Sequence, residues 1–163
     1  MPDPTVDLVL AALDRAYDKK SWHGTNLRGA VRGIRADLAA WRPAPDRHNA
    51  WEYTLHAAYW KYVVRRKITG EARGSFPLEG SSFFPRPEKG RATEAAWKAD
   101  RALLEEQHRL LRQAVVGLFA KDLARQAEGS KYTLLELVTG AAAHDLYHAG
   151  QIQLLKRLAK TAG

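Results

Sequence analysis

The sequence has no cysteine and a single methionine among its 163 residues. The absence of cysteine excludes disulfides, thiolate metal ligands and a cysteine nucleophile, so any metal must be held by histidine, aspartate, glutamate or water. No apolar run approaches the ~18 residues of a membrane span. The first 20 residues are interrupted by acidic side chains and lack the pattern of a signal peptide. We therefore expect a cytoplasmic protein that does not enter a membrane.

Positive charge is in excess, with a formal net charge of +8. The densest basic cluster, Arg65-Arg66-Lys67, lies where a helix is expected to end, and cations at that position complement the helix dipole. No helix-turn-helix, zinc-finger or RNP signature accompanies the charge. We expect basic side chains scattered over solvated helix faces and no specific nucleic-acid partner. Non-specific binding to nucleic acid stays open, and it predicts a steep loss of affinity with salt.

Every long periodic segment has the three- and four-residue spacing of an amphipathic helix, and none alternates with a period of two. We predict an all-α fold in a single domain, residues 1–163, with long helices over 4–18, 49–69, 93–119 and 133–160. Shorter helical segments are expected over 26–34 and 35–41. The connection over 70–90 is rich in glycine, proline and serine. Four long helices and one long connection predict a four-helix bundle with one crossover loop.

Two histidines, His144 and His148, lie four residues apart on the apolar stripe of the last predicted helix. The other members of this stripe are Leu137, Ala141, Ile152 and Leu155. Unpaired imidazole nitrogens in an apolar interior cost about 1–3 kcal/mol each. One metal ion bound by both rings would remove this cost, because a spacing of four lets both converge on the same ion. The alternative is two core histidines with protein partners and no metal.

The third ligand is expected to be His56, because it is the remaining histidine in the middle of an aromatic, apolar helix. His23 and His48 lie in loop-like sequence, and the charged neighbours of His108 predict that it faces solvent. Three histidines without cysteine leave coordination positions for water, which is typical of reactive metal sites. The segment beginning at His144 also approaches the HExxH motif of metalloproteases. Aspartate replaces the glutamate and no third ligand follows at the expected place, so we do not favour that interpretation.

Several short motifs resemble, in order, those of the DinB-like (DinB/YfiT) superfamily of metal-binding four-helix bundles, which is not the DNA polymerase of that name. The resemblance covers nearly the whole chain. The motifs are Ser21-Trp22-His23-Gly24, Trp41-Arg42-Pro43, Trp51-Glu52 with His56 and Tyr59-Trp60, and above all His144-x-x-x-His148-x-Gly150-Gln151-Ile152.

The resemblance implies a divalent transition metal, nickel or zinc, bound by His56, His144 and His148. Members with known activity include transferases that use a low-molecular-weight thiol, and some hydrolases. Family members are often homodimers, and many have no assigned activity. The resemblance therefore implies a metal-dependent enzyme, a hydrolase or a thiol transferase, acting on a small-molecule substrate. The alternative is a non-catalytic metal-binding module of the stress response.

Two polar residues lie one helical turn from a predicted ligand. Glu52 precedes His56 by one turn and Gln151 follows His148 by one turn, so either could accept the free ring N–H and hold the tautomer. The alternative is ordinary polarity on a helix surface or interface. Asp145 points about 100° away from His144, which makes it a weak candidate for a general base.

Aromatic side chains could shape the approach to the site. Tyr59, Trp60 and Tyr147 could line the mouth of a pocket, although aromatic residues on helices more often belong to the core. The 70–90 connection carries three phenylalanines at positions 76, 83 and 84. These rings could cover the pocket as a lid, or they could fix the crossover to the bundle or pack on a second subunit.

Overall fold

The computed structural model describes residues 3–162, and this part of the chain is all-helical with no β-strand. The helices are α1 Pro4–Tyr17, α2 Leu27–Val31, α3 Ala36–Ala40, α4 Ala50–Thr69, α5 Glu94–Val116, α6 Ala120–Leu123 and α7 Leu134–Thr161. A 3-10 turn, Glu88–Gly90, closes the long connection. Within residues 3–162, no helix is long and apolar enough to cross a membrane. The predicted all-α class is confirmed.

Side-chain caps set the starts of the long helices. Asn49 accepts a hydrogen bond from the backbone N–H of Glu52 at the start of α4, and Thr93 caps α5 in the same way. Thr133 and Glu136 form the predicted capping box of α7. Helix α4 ends where Gly70 takes a left-handed conformation with φ of 75°, which glycine adopts without a steric cost. Helix α5 ends at Val116, three residues before the predicted end.

The long helices α1, α4, α5 and α7 form the bundle, in which α1 and α4 each pack against α5 and α7. Helices α4 and α5 begin at the same end, because the Trp51 and Trp97 rings lie 5.2 Å apart. Helix α7 is antiparallel to α4, because Lys67 near the end of α4 donates from Nζ to the carbonyl of Glu128, which lies just before the start of α7. A parallel α4 and α5 require a connection that returns along the bundle. Residues 70–93 make this crossover.

The crossover is fixed to α4 by aromatic packing. Phe76 and Phe84 contact the ring of Tyr59, and Phe76 also contacts Tyr62, with ring centroids 5.3–5.8 Å apart. Phe84 is 3% exposed and Tyr59 is 7% exposed. Both therefore belong to the core. Tyr59 faces the crossover and does not line the cleft beside His144, so the prediction that it could line the pocket mouth there is corrected.

The prediction that His108 faces solvent is wrong. Its side chain is 6% exposed and stacks on Tyr17 with ring centroids 3.7 Å apart. His108 lies four residues after buried Leu104 and three before buried Leu111, so it falls on the inner stripe of α5. Its exposed neighbours Glu106 and Arg109 lie about 200° and 100° around the helix from it, so their exposure does not indicate the burial of His108.

Candidate metal centre

Three histidines from two antiparallel helices meet near the middle of the bundle. His56 comes from α4, and His144 and His148 come from successive turns of α7. The Nε2 nitrogen of His144 lies 3.1 Å from Nε2 of His56 and 3.0 Å from Nε2 of His148. The ligand atoms of all three lie within 4.8 Å of one another. Two nitrogens bound at about 2.0–2.1 Å to one tetrahedral zinc ion are about 3.3–3.4 Å apart, which is close to the observed spacing.

Hydrogen bonds at the far side of two rings select their tautomers. His56 Nδ1 lies 2.9 Å from the backbone oxygen of Ser82, and His148 Nδ1 lies 2.6 Å from Oε1 of Gln151. A carbonyl oxygen only accepts hydrogen bonds, so both Nδ1 atoms carry the proton. The neutral rings of His56 and His148 therefore direct Nε2 lone pairs toward His144.

The donor set fits a metal ion better than it fits protein hydrogen bonds. A single N–H on His144 Nε2 could donate to one neighbouring Nε2 atom, which leaves the other close contact without a proton. Burial lowers the pKa of His56 to about 4 and of His144 to about 3, and it also lowers the pKa of His148. The rings are therefore neutral at pH 7, as metal ligation requires. A divalent cation would satisfy all three lone pairs.

Of the two predicted supporting residues, Gln151 contacts a ligand and Glu52 does not. Gln151 accepts from His148, as described above. The Glu52 carboxylate instead pairs with Arg42 and His48 and accepts the backbone N–H of Arg86. Burial alone would raise the pKa of Glu52, but these donors outweigh it and lower the pKa to about 2. The prediction that Glu52 holds the His56 ring is corrected, because the cationic fork of Arg42 binds it more strongly.

Glu52 is nevertheless connected to the site through a stack of rings. It accepts from His48 Nδ1 at 2.9 Å, and the His48 ring stacks on Phe83 with centroids 3.7 Å apart. The other face of Phe83 stacks on His56 at 4.0 Å. Phe83 therefore lies between an anchored histidine and a predicted ligand. Of the three phenylalanines in the crossover, Phe83 covers the site, whereas Phe76 and Phe84 fix the loop.

Further aromatic rings surround the other two histidines. Tyr53 stacks on His148 at 5.1 Å, and Tyr147 meets the same ring edge-on. Trp60 packs edge-on against His56 and His144. Trp60 is 39% exposed and Tyr147 is 67% exposed. These two aromatic residues lie at the solvent side of the centre, where the sequence predicted that they could line the mouth of a pocket.

Asp145 is buried beneath the site and does not face it. Its carboxylate forms an ion pair with Lys61 of α4, and both side chains are 1% exposed. Burial raises the pKa of Asp145 to about 6, while Lys61 opposes that shift. The pair joins α4 to α7 one residue from a predicted ligand. Because its carboxylate pairs with Lys61, the structure does not support Asp145 as a general base at the centre.

The sequence did not predict Ser82 or His48 as parts of the centre. Ser82 contributes its backbone oxygen, which any residue could supply, so its side chain gave no signal. His48 was set aside because it lies in loop-like sequence. Phe83 was predicted, together with Phe76 and Phe84, as a ring that could cover the pocket, and of the three it is the one that stacks on His56.

Comparison with known proteins agrees with this geometry. A family model described as the DinB superfamily matches residues 21–152, which contain all three histidines and most of the helical bundle. The chain belongs to the DinB superfamily. No curated protein and no solved structure gives a significant match. The predicted family is thus confirmed, and the group of His56, His144 and His148 could hold a metal ion.

Proposed function

We propose that this DinB-superfamily protein is a metal-dependent enzyme. It binds one divalent transition metal, nickel or zinc, through His56, His144 and His148. The observation that supports this most directly is the convergence of three Nε2 atoms. In His56 and His148 the proton is on Nδ1, where it is hydrogen-bonded, so Nε2 carries a free lone pair. Imidazole ligands suit zinc, nickel, copper and iron, and the chain has no cysteine to offer a thiolate.

Open coordination positions are proposed on the solvent side of the centre. His144 is half-buried and contributes to the wall of a cleft, together with exposed Trp60. A divalent metal with such a position lowers the pKa of a bound water or thiol and so supplies a nucleophile at neutral pH. Hydrolysis and thiol transfer both use this chemistry. The rings of Phe83 and Tyr53 limit access from the other sides.

The first experiment is elemental analysis of purified protein after reconstitution with zinc or nickel. We expect about one ion per chain in the wild type and in His23→Ala, which replaces an exposed histidine outside the centre. His56→Ala and His148→Ala should retain much less metal. Unchanged metal content in both variants would contradict the proposal.

The second experiment addresses catalysis. A panel of low-molecular-weight thiols with electrophilic acceptors, run beside ester and amide substrates, separates a transferase from a hydrolase. We expect turnover in one of the two panels that requires added metal and is lost in His144→Ala. Metal binding without turnover in either panel, with all coordination positions filled by protein groups, would favour the non-catalytic metal-binding module.

We also propose a homodimer in the cytoplasm. The proposal of a homodimer is based on two points. Members of the family are often homodimers, and α7 has an exposed apolar stripe that comprises Tyr147, Leu154 and Leu158. The cytoplasmic location stays a prediction from the sequence. Sedimentation analysis of the wild type beside Leu154→Lys tests the homodimer, since a charge on this stripe should favour the monomer.

A further inference from the structure

An apolar cleft of about 340 Å³ lies between α4 and α7 and begins at the candidate metal centre. His144 forms one end of its wall. The sides come from Trp60 and Val64 of α4 and from Leu137 and Ala141 of α7, and Tyr132 and Glu136 lie at the end away from His144. Leu137 lies seven residues before His144, which corresponds to about 10 Å along the helix. The cleft therefore extends along the bundle away from the three histidines.

The floor of the cleft offers no free charge to a ligand. Lys61 and Asp145 lie beneath it, and they pair with each other through Oδ2 of Asp145. Both side chains are 1% exposed. The other carboxylate oxygen, Oδ1, has no hydrogen-bond partner, but it is fully buried and a ligand in the cleft does not reach it. Burying a charged group against this floor would cost desolvation energy without a partner to offset it. An apolar group would lose no hydrogen bond there. The chemistry of the walls therefore selects an apolar occupant.

Gly140 leaves the α7 side of the cleft open. It is an exposed helical residue, and a Cβ added to it would meet no atom within 4 Å. Most residues would be more favourable than glycine in the middle of a helix. A side chain at this position would project into the cleft. Position 140 is thus the place where the cleft can be filled without disturbing the core.

We propose that this cleft binds an apolar arm of the substrate, of arylalkyl size, while the polar group of the same substrate lies at the three-histidine centre. A cavity of about 150 Å³ holds benzene, so about 340 Å³ accepts a phenyl ring with a short alkyl linker. The continuity of the cleft with His144 is what assigns it to the substrate. This inference rests on the proposed metal-dependent function and adds the substrate class to it.

The test uses two hydroxamates that share a metal-binding group and differ in their apolar arm. Acetohydroxamate carries a methyl group, and 3-phenylpropanohydroxamate carries an arylalkyl arm. Titration calorimetry on the zinc-reconstituted protein gives both dissociation constants. We expect the arylalkyl compound to bind about 10- to 100-fold more tightly than acetohydroxamate, because its arm is removed from water in the cleft.

Gly140→Leu is expected to remove this difference and to leave the affinity for acetohydroxamate unchanged. Gly150→Leu is the matched control, because Gly150 is also an exposed glycine of α7 with open space at its Cβ position. It lies about 200° around the helix from His148 and outside the cleft. We expect this control to keep the full advantage of the arylalkyl arm. The melting temperature of both variants should equal or exceed that of the wild type.

The outcomes separate the two proposals. Binding of acetohydroxamate with no gain from the arylalkyl arm would overturn the cleft and leave the open metal centre standing. An equal gain in Gly140→Leu would place the arm elsewhere and also overturn it. A change of oligomeric state in Gly140→Leu, together with no gain from the arm in the wild type, would assign the cleft to a second copy of the chain. Failure of the protein to take up either zinc or nickel would refute both proposals.

Discussion

The Nδ1 nitrogen of His56 lies 2.9 Å from the backbone oxygen of Ser82, 26 residues away in the crossover. This contact ties the long α4–α5 connection to the candidate metal centre. It holds the proton on Nδ1 and leaves the lone pair on Nε2, where a metal would bind. Ser82 reaches this geometry with φ of 64°, a left-handed conformation that is costly for residues other than glycine. The loop backbone is therefore part of the site.

We predict that Ser82→Val weakens metal binding by about 10- to 100-fold, as is usual when a group that orients a ligand is lost. A β-branched residue disfavours positive φ, so the carbonyl should move away from His56. Ser82→Gly should bind metal like the wild type, because glycine accepts this conformation and keeps the carbonyl. The measurement is the zinc dissociation constant, obtained by competition with a chromophoric chelator.

Ser81→Val is the control for the Ser82 variants. Ser81 is exposed, its φ is not positive, and the hydrogen bonds of His56 Nδ1 are with Ser82 instead. We expect its zinc affinity to match that of the wild type. Equal affinity in Ser81→Val and Ser82→Val would show that the carbonyl contact does not contribute to the centre.

Gln151 should support His148 in the same way. Its Oε1 accepts from His148 Nδ1 at 2.6 Å, so Gln151→Leu leaves that ring nitrogen without a partner. We predict about a 10-fold weaker zinc affinity for Gln151→Leu. Gln151→Glu should keep or increase the affinity, since a carboxylate accepts the same hydrogen bond and raises the basicity of the ligand. Loss of affinity in both variants to the same extent would point to disturbed packing instead of a lost acceptor.

The buried ion pair of Lys61 and Asp145 predicts a pattern of stability changes. Lys61→Met leaves a carboxylate without its partner at a position that is 1% exposed, and we expect a loss of about 3–5 kcal/mol in the free energy of unfolding. Adding Asp145→Leu should recover most of this loss, because an apolar pair needs no compensation. Urea denaturation of the metal-free proteins measures both values. A double variant as unstable as Lys61→Met would contradict this account.

His108 predicts how stability depends on pH. Burial lowers its pKa to about 2. The positive groups facing it, which lower its pKa further, are Lys61, Arg112, Arg28 and Lys19. The unfolded chain takes up a proton near pH 6.5 and the folded chain does not, so stability is lost as the pH falls below about 6.5.

We predict that His108→Phe loses less stability than the wild type between pH 6.5 and pH 5, by up to about 2 kcal/mol in the free energy of unfolding. Phenylalanine keeps a ring against Tyr17 but takes up no proton. Urea denaturation of metal-free protein at several pH values measures the slope. His23→Gln, which replaces an exposed imidazole, should leave the slope unchanged. Equal slopes in all three proteins would show that His108 takes up its proton in the folded state.

Local chemistry made most of the fold predictable. Asn49, Thr93 and Thr133 each cap the helix that the sequence placed after them, because a side-chain oxygen there satisfies a free backbone N–H. The end of α5 was harder. The apolar pattern continues to Phe119, but the chain leaves the helix at Gly117 and forms the short α6 instead. The apolar periodicity of the sequence alone does not predict such a break.

The site was predictable only in part, for a similar reason. His56, His144 and His148 stand on apolar stripes, and this periodicity led to the grouping that the structure shows. The partners of Glu52 could not be predicted in the same way, because Arg42 lies in a loop ten residues before it and the backbone N–H of Arg86 comes from the crossover. Contacts that depend on how a 24-residue crossover returns along the bundle leave no local pattern.

Removal of the metal should weaken the fold without abolishing it. The core contains large side chains that are fully buried away from the three histidines, among them Leu13, Leu111 and Val138. A ligand present at 100 times its dissociation constant adds about 2.7 kcal/mol to the free energy of unfolding. For a domain of this size that shift corresponds to about 5–10 °C in Tm.

We therefore expect a chelator to lower Tm by several degrees while the helical circular dichroism at 25 °C stays largely unchanged. His56→Ala should show the lower Tm with or without chelator. Complete unfolding of the wild type on chelation would mean that the ion holds the fold together, which would argue against a centre with open positions and in favour of a closed structural site.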